Sequence, residues 1–200
     1  MKHILHLISS IQGKESYSIQ LGHAIIEKIQ DKYPASNVEE LNLVDIEIPH
    51  LTPQLLRALF TPEDQLTEEE KKASQFSDEV VKQLFAADII VIGAPLYNFT
   101  IPSSLKAWID HITRPGITFG YGENGPVGKV TGKKIYVAMA SGGVYSEGPG
   151  KANDFVVPYL QAFLGFLGMS DLTAFRAEGL KVPELKDIAM KKAIESIQID

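Results

Sequence analysis

Three short stretches of this chain carry residues whose types and spacing could do chemistry. The first contains Ser9, Ser10, Ser16 and Ser18, placed just ahead of apolar residues at helical spacing. Hydroxyls beside free N–H groups at a helix N-terminus hold an anion without a basic side chain, because the helix dipole is positive there. Each charge-assisted hydrogen bond of this kind contributes about 1.5–3 kcal/mol. The second stretch is Leu96, Tyr97, Asn98 and Phe99, two aromatics and an amide that suit a planar, hydrogen-bonding group. The third is Ser141, Gly142 and Gly143. Without Cβ atoms these glycines let the backbone approach a ring closely and turn N–H groups toward its carbonyl edge. Singly, each stretch also reads as ordinary punctuation: a serine-rich cap, an aromatic turn, a tight turn.

What precedes each stretch gives it meaning. Ile4 to Ile8, Ile89 to Ile92 and Lys134 to Ala140 are apolar runs of strand length. The β-branched run at Ile89 is that of a parallel strand buried on both faces. Gly93, Ala94 and Pro95 are expected to stop it, since Pro95 brings no N–H to the ladder. Pro102 suits the first turn of the next helix, in which Leu105, Trp108, Ile109 and Ile112 form one buried stripe. Ser18 is the expected N-cap of a helix whose apolar face is Leu21, Ala24, Ile25 and Ile29. A second strand is expected over 38–44 and short helical pieces over 53–60. Thr67-Glu-Glu-Glu has the pattern of a capping box opening a helix to about Ala87. A glycine-rich loop follows over 116–132, then a helix from about 154 to 167, a strand near 172–175 and an amphipathic helix near 183–197.

Strand and helix alternate about five times, which calls for parallel strands joined by crossover helices. The expectation is one flavodoxin-like domain over residues 1–200: a doubly wound five-stranded parallel sheet, order 2-1-3-4-5, helices on both faces. In that order the carboxyl ends of strands one, three and four meet at the switch point, where such sheets bind ligands. The three stretches lie at those ends. A phosphate site at one side and a flat-ring site at the other describe a mononucleotide, and FMN fits. No acid stands about 20 residues beyond a glycine fingerprint, so a Rossmann-type dinucleotide fits less well.

Composition excludes other classes. The chain has 200 residues, 44% of them hydrophobic and 22% charged, with a net charge of −6 that disfavours nucleic acid and anionic membrane as partners. It has no cysteine, hence no thiol catalysis and no Cys-bound metal. No apolar run reaches the ~20 residues of a membrane span, and no secretory leader is recognisable, so a soluble cytoplasmic protein is expected. Gly120 to Gly125 formally match G-x-G-x-x-G but neither follow a strand nor open a helix. His3 and His6 point to opposite faces of a strand, while His23, His50 and His111 stand alone, so no metal site is expected.

The linked motifs resemble those of the FMN-dependent NADH-azoreductases, in the flavodoxin-like quinone reductase superfamily. Ser9-Ser10-Ile11 with Ser16-Tyr17-Ser18 is similar to that family's phosphate loop, and Ala94-Pro95-Leu96-Tyr97-Asn98-Phe99 to its Ala-Pro-Met-Tyr-Asn-Phe motif. Gly116 to Phe119, Glu123 to Pro126, Thr131 to Lys134 and Pro158 to Gly168 extend the likeness nearly end to end. The resemblance implies cofactor contacts at Ser10, Ser16, Tyr17, Ser18, Pro95, Leu96, Tyr97, Asn98, Phe99, Ala140, Ser141, Gly142 and Gly143. It further implies substrate walls at Phe60, Tyr121 and Phe163, with the Leu55 to Phe60 segment reaching a partner chain in a homodimer. The implied activity is NADH-driven two-electron reduction of quinones and cleavage of aromatic azo bonds, with no catalytic side chain, the flavin N5 carrying the hydride. The alternatives are a flavodoxin-like electron carrier that leaves NADH untouched, and a regulatory α/β domain without flavin. Two positions depart from the pattern: Leu96 replaces methionine, a volume-conserving change, and Ser141 stands where many relatives carry arginine.

Overall fold

The computed structural model describes residues 1–200, apart from the side chain of Glu63. In chain order the elements are β1 (His3–Ile8), α1 (Tyr17–Lys32), β2 (Asn37–Asn42), α2 (Pro53–Phe60), α3 (Glu68–Ala86), β3 (Ile89–Pro95) and α4 (Ser103–Ile112). There follow β4 (Phe119–Gly122), β5 (Gly125–Gly128), β6 (Lys134–Ala140), α5 (Val157–Phe166), β7 (Asp171–Ala177) and α6 (Lys186–Glu195). The main sheet runs β2-β1-β3-β6-β7 and its pairs are all parallel. This is the expected 2-1-3-4-5 order, with β6 and β7 as the fourth and fifth strands.

Period-2 alternation sorts the strand residues between two cores. Ile4, Ile89, Val91, Tyr136 and Phe175 pack with Leu21, Ile25 and Ile29 of α1 and Ala193 of α6. Leu5, Leu7, Ile90, Ile92, Ile135 and Val137 face α3, α4 and α5, meeting Leu84, Trp108, Ile112 and Leu160. Trp108 is fully buried, so the α4 stripe is core, as its spacing predicts. The Thr67–Glu70 capping box forms reciprocally, closing two donors of α3.

Four local expectations are corrected. β3 does not stop at Ile92; it continues through Pro95, which pairs with Ala140 at the last ladder position, where a missing N–H breaks nothing. Pro102 is the residue before α4 rather than in its first turn. Ser16, not Ser18, caps α1, its Oγ accepting from the Ile19 N–H at 3.4 Å. The glycine-rich stretch is not all loop: β4 and β5 form an antiparallel hairpin. Glycine is required at Gly128, because a Cβ there would stand 2.1 Å from backbone atoms of Leu167 and Gly168, so the hairpin lies directly on the end of α5.

Candidate functional site

A cavity of about 250 Å³ opens at the carboxyl edge of the sheet. The turn after β1 contributes Gln12, Ser16, Tyr17 and Ser18; the end of β3 contributes Pro95, Leu96 and Tyr97; the end of β6 contributes Ala140, Ser141 and Gly142. Three segments far apart in sequence thus meet around one space because β1, β3 and β6 are adjacent in the sheet.

The serine turn divides its work. Ser9 Oγ donates to Gly93 O at 2.6 Å, so it fastens β1 to β3 and is spent inside the fold. Ser10 Oγ lies 3.1 Å from Tyr97 Oη, and Ser16 Oγ lies 3.0 Å from Ser18 Oγ. The first four N–H groups of a helix have no partner within it. In α1 the Ile19 N–H is taken by Ser16 Oγ and the Gln20 N–H by Ser16 O, which leaves those of Tyr17 and Ser18 open. Two open amides, clustered hydroxyls and a positive helix end are the features that favour an anion. Gly93 lets this helix end sit close: a Cβ on it would be 3.2 Å from Leu7 O and 3.6 Å from Ser18 O.

The turn after β3 is strained. Asn98 (φ 50°) and Phe99 (φ 70°) are both left-handed, while Tyr97 and Thr100 exchange N–H···O bonds of 3.0 and 3.1 Å. This is a two-residue reverse turn of the kind that demands positive φ at both central residues. For phenylalanine that conformation costs about 1–2 kcal/mol, and such outliers concentrate at ligand clamps. The Phe99 ring meets the Tyr145 ring edge-on with centroids 6.3 Å apart, linking the turns after β3 and β6.

Beyond β6, Ser141 is buried and its Oγ donates to Gly143 O at 2.8 Å. It shapes its own turn and brings no charge to the pocket mouth. The turn after β7 pairs with it: Gly179, Leu180 and Lys181 donate to the carbonyls of Gly143, Ser141 and Gly142. Arg176 holds this region together, donating to Asp154 Oδ2 at 2.6 Å and Glu178 Oε1 at 3.3 Å. Asp154 Oδ1 in turn accepts from the amides of Val156 and Val157 where α5 begins.

Residues 2–199 match the family model described as flavodoxin-like fold. An FMN-dependent NADH:quinone oxidoreductase of Herminiimonas arsenicoxydans is 46% identical over 180 residues, 90% of this chain and 88% of its own length. The chain belongs to the flavodoxin-like FMN-dependent NADH-azoreductase family. Solved structures agree. An azoreductase of Bacillus anthracis strain Sterne has a TM-score of 0.90 at 33% identity, covering 98% of this chain and 96% of its own. An FMN-dependent NADH-azoreductase of Bacillus anthracis strain Ames Ancestor, in complex with FMN, gives 0.84 at 32%, covering 98% and 97%.

Against the family expectation, the chain gathers most cofactor positions but not the walls. Asn98 lies not in this cavity but on an adjoining apolar groove of about 770 Å³, shared through Tyr97 and edged by Ile11, Val44 and Tyr159. Burial pushes the Tyr159 hydroxyl up from its ordinary value, with the Asp110 charge adding to the effect. Phe60 is 64% exposed and borders a separate cavity with Arg114 and Ile117. Tyr121 sits on the β4–β5 hairpin, 81% exposed, its ring edge-on to Phe119. Phe163 stacks on Tyr159 at 6.0 Å. Within one chain these three do not converge on the cavity.

Sequence reasoning missed Gln12, Leu180 and Lys181, which complete the cavity. The last two lie beyond β7, and the 2-1-3-4-5 order, with that strand beside the fourth, was the signal that would have found them. His23 does not stand alone either: Glu40 Oε1 meets His6 Nδ1 at 2.9 Å and His23 Nε2 at 3.0 Å, three side chains with ligand atoms within 4.8 Å of one another. Helix α1 carries His23 over the β1–β2 pair, a contact no strand pattern encodes.

Proposed function

We propose that this chain is an FMN-dependent NADH:quinone oxidoreductase that also cleaves aromatic azo bonds. The observation that carries the reading is the meeting of the Ser16–Ser18, Pro95–Tyr97 and Ala140–Gly142 segments around one cavity. The donor set fits FMN: open amides and hydroxyls suit a phosphate, and flat apolar walls with unpartnered amides suit a ring. When bound, FMN supplies the two-electron chemistry that takes a hydride from NADH and returns it to a quinone or azo compound.

In this reading Ser10, Ser16, Tyr17 and Ser18 hold the phosphate, and Pro95, Leu96, Tyr97 and Ala140 wall the ring. The backbone N–H groups of Asn98, Phe99, Gly142 and Gly143, with Ser141 fixing the turn, face the ring edge where negative charge develops. None of the cavity-lining side chains is a carboxylic acid, and water can supply the second proton. The protein is one FMN-binding domain over residues 1–200, acting in the cytoplasm where NADH is plentiful. No helix among the described residues is long and apolar enough to cross a membrane.

The functional unit is a homodimer. Supporting it are the apolar groove beside Asn98, the exposed Ile11 and Val44 on its rim, and wall residues that a single chain leaves scattered. In the dimer the segment over 55–60 of one chain supplies a wall to the pocket of the other. The test is anaerobic mixing of FMN-loaded protein with NADH. Bleaching of the flavin, then recovery on adding benzoquinone or an azo dye, is expected. A flavin that NADH leaves unchanged would instead make the protein an electron carrier, and a protein that binds no FMN would overturn both.

A further inference from the structure

Lys181 borders the cavity, and the other residues lining it are uncharged. Its N–H donates to Gly142 O at 2.9 Å. Its Cγ and Cδ lie 3.2 and 3.1 Å from where a Cβ on Gly142 would stand. The stem therefore runs across Gly142, which lines the same cavity, and glycine at 142 is what gives it room. Two acids lie three residues away in sequence, Glu178 and Glu184, and neither pairs with the ammonium. Glu178 Oε1 accepts from the Tyr145 N–H at 2.9 Å and from Arg176 at 3.3 Å. Among the described residues the Lys181 ammonium has neither a hydrogen bond nor an ion pair. An unpartnered cation held by its own backbone and stem at the edge of an otherwise uncharged pocket acts on whatever charge appears there.

We infer that Lys181 is the charge-compensating residue of the flavin pocket, set to stabilise the reduced form of FMN over the oxidised form. The inference rests on the FMN dependence proposed above. Hydride transfer from NADH moves two electrons and one proton to the neutral oxidised ring, releasing NAD⁺ and leaving one negative charge on the reduced ring. A cation beside that charge lowers the energy of the reduced state alone, because the oxidised ring carries none. A lysine bound to the phosphate would act differently, since the phosphate is equally charged in both states.

The experiment uses the FMN-loaded full chain as wild type, Lys181→Gln and Lys181→Arg. The two-electron midpoint potential of bound flavin is measured anaerobically against a reference dye. Affinities for oxidised FMN and for riboflavin are measured by flavin fluorescence. Lys181 is exposed, so the variants should melt like wild type, which a thermal scan checks. Lys181→Gln is expected to weaken binding of the reduced form relative to the oxidised form about tenfold, a fall of about 30 mV for a two-electron couple. Lys181→Arg should restore it, and affinity for oxidised FMN should hold. Weaker binding of oxidised FMN but not of riboflavin, with the potential unchanged, would make Lys181 a phosphate ligand and overturn the inference. No change in either quantity would make it a solvated surface lysine. Wild-type protein that binds no FMN would instead remove the proposed function itself.

Discussion

Ser10 Oγ and Tyr97 Oη lie 3.1 Å apart, a hydrogen bond that joins the turns after β1 and β3 across 87 positions of sequence. It ties the anion-binding end of the cavity to its flat wall, so the two halves of the site are held at fixed separation. Tyr97→Phe removes the bond while keeping the ring. The expected loss is about 1 kcal/mol, read as a roughly fivefold rise in the FMN dissociation constant by fluorescence titration. Affinity unchanged in Tyr97→Phe and in Ser10→Ala would show that the bridge does not order the site.

Asn98 combines a left-handed backbone with an amide, and two substitutions separate those contributions. Asn98→Gly keeps both the conformation and the backbone N–H, so stability should barely change while loss of the side-chain amide weakens FMN binding by roughly 1–3 kcal/mol. Asn98→Ala should weaken FMN as much and also cost about 1 kcal/mol of stability, because alanine resists positive φ. Chemical denaturation alongside FMN titration distinguishes them; equal stability of the two variants would argue against strain at this turn.

Gly128 places the β4–β5 hairpin against α5. A Cβ there would meet backbone, which cannot rotate away, at 2.1 Å. Gly128→Ala should therefore destabilise the protein by about 1–3 kcal/mol and shift the hairpin that carries Tyr121. A melting curve and the quinone KM, measured together, report both effects. A variant that melts and turns over like wild type would show that the hairpin docks loosely.

His6 and His111 both titrate below the ordinary histidine value of 6.5, chiefly because burial disfavours the charged ring. Hydrogen bonds to Glu40 and to the Pro49 carbonyl pull the other way but do not win. As pH falls below 6.5 the unfolded chain gains these protons before the folded one does. Stability is thus fully present above that pH and drains away down through the folded-state values. Melting temperatures taken at falling pH should drop below 6.5, and His6→Asn should make the decline shallower. A flat profile over that range would mean both rings are effectively solvated.

Much of this was legible in the sequence, for a local reason. Runs such as Ile89 to Ile92 and the stripe Leu105, Trp108, Ile109, Ile112 carry their burial in their own periodicity, and the strand–helix alternation fixes a parallel sheet. The serine, Tyr97–Phe99 and Ser141–Gly143 turns could be assigned to one edge because strand order follows from that alternation. The hairpin over 119–128 escaped because its strands hold four glycines and a proline, so β propensity pointed away from the pairing that contact with α5 supports.

Sequence alone determined the strands and helices of the main doubly wound sheet, their order and the residue types at three strand ends, since these depend on spacing along the chain. Tertiary structure alone decided which members of each stretch face the cavity. Ser9 turned inward to Gly93, while Ser141 lines the cavity with its hydroxyl spent on Gly143 O, because a side chain's direction depends on the neighbouring strand and not on its own residue type. It also decided that the strand order ends by laying the turn after β7 against Gly142. That contact brings Lys181 to the cavity lined by Leu96, Tyr97, Ser141 and Gly142, where the chain by itself gave no reason to expect a charge.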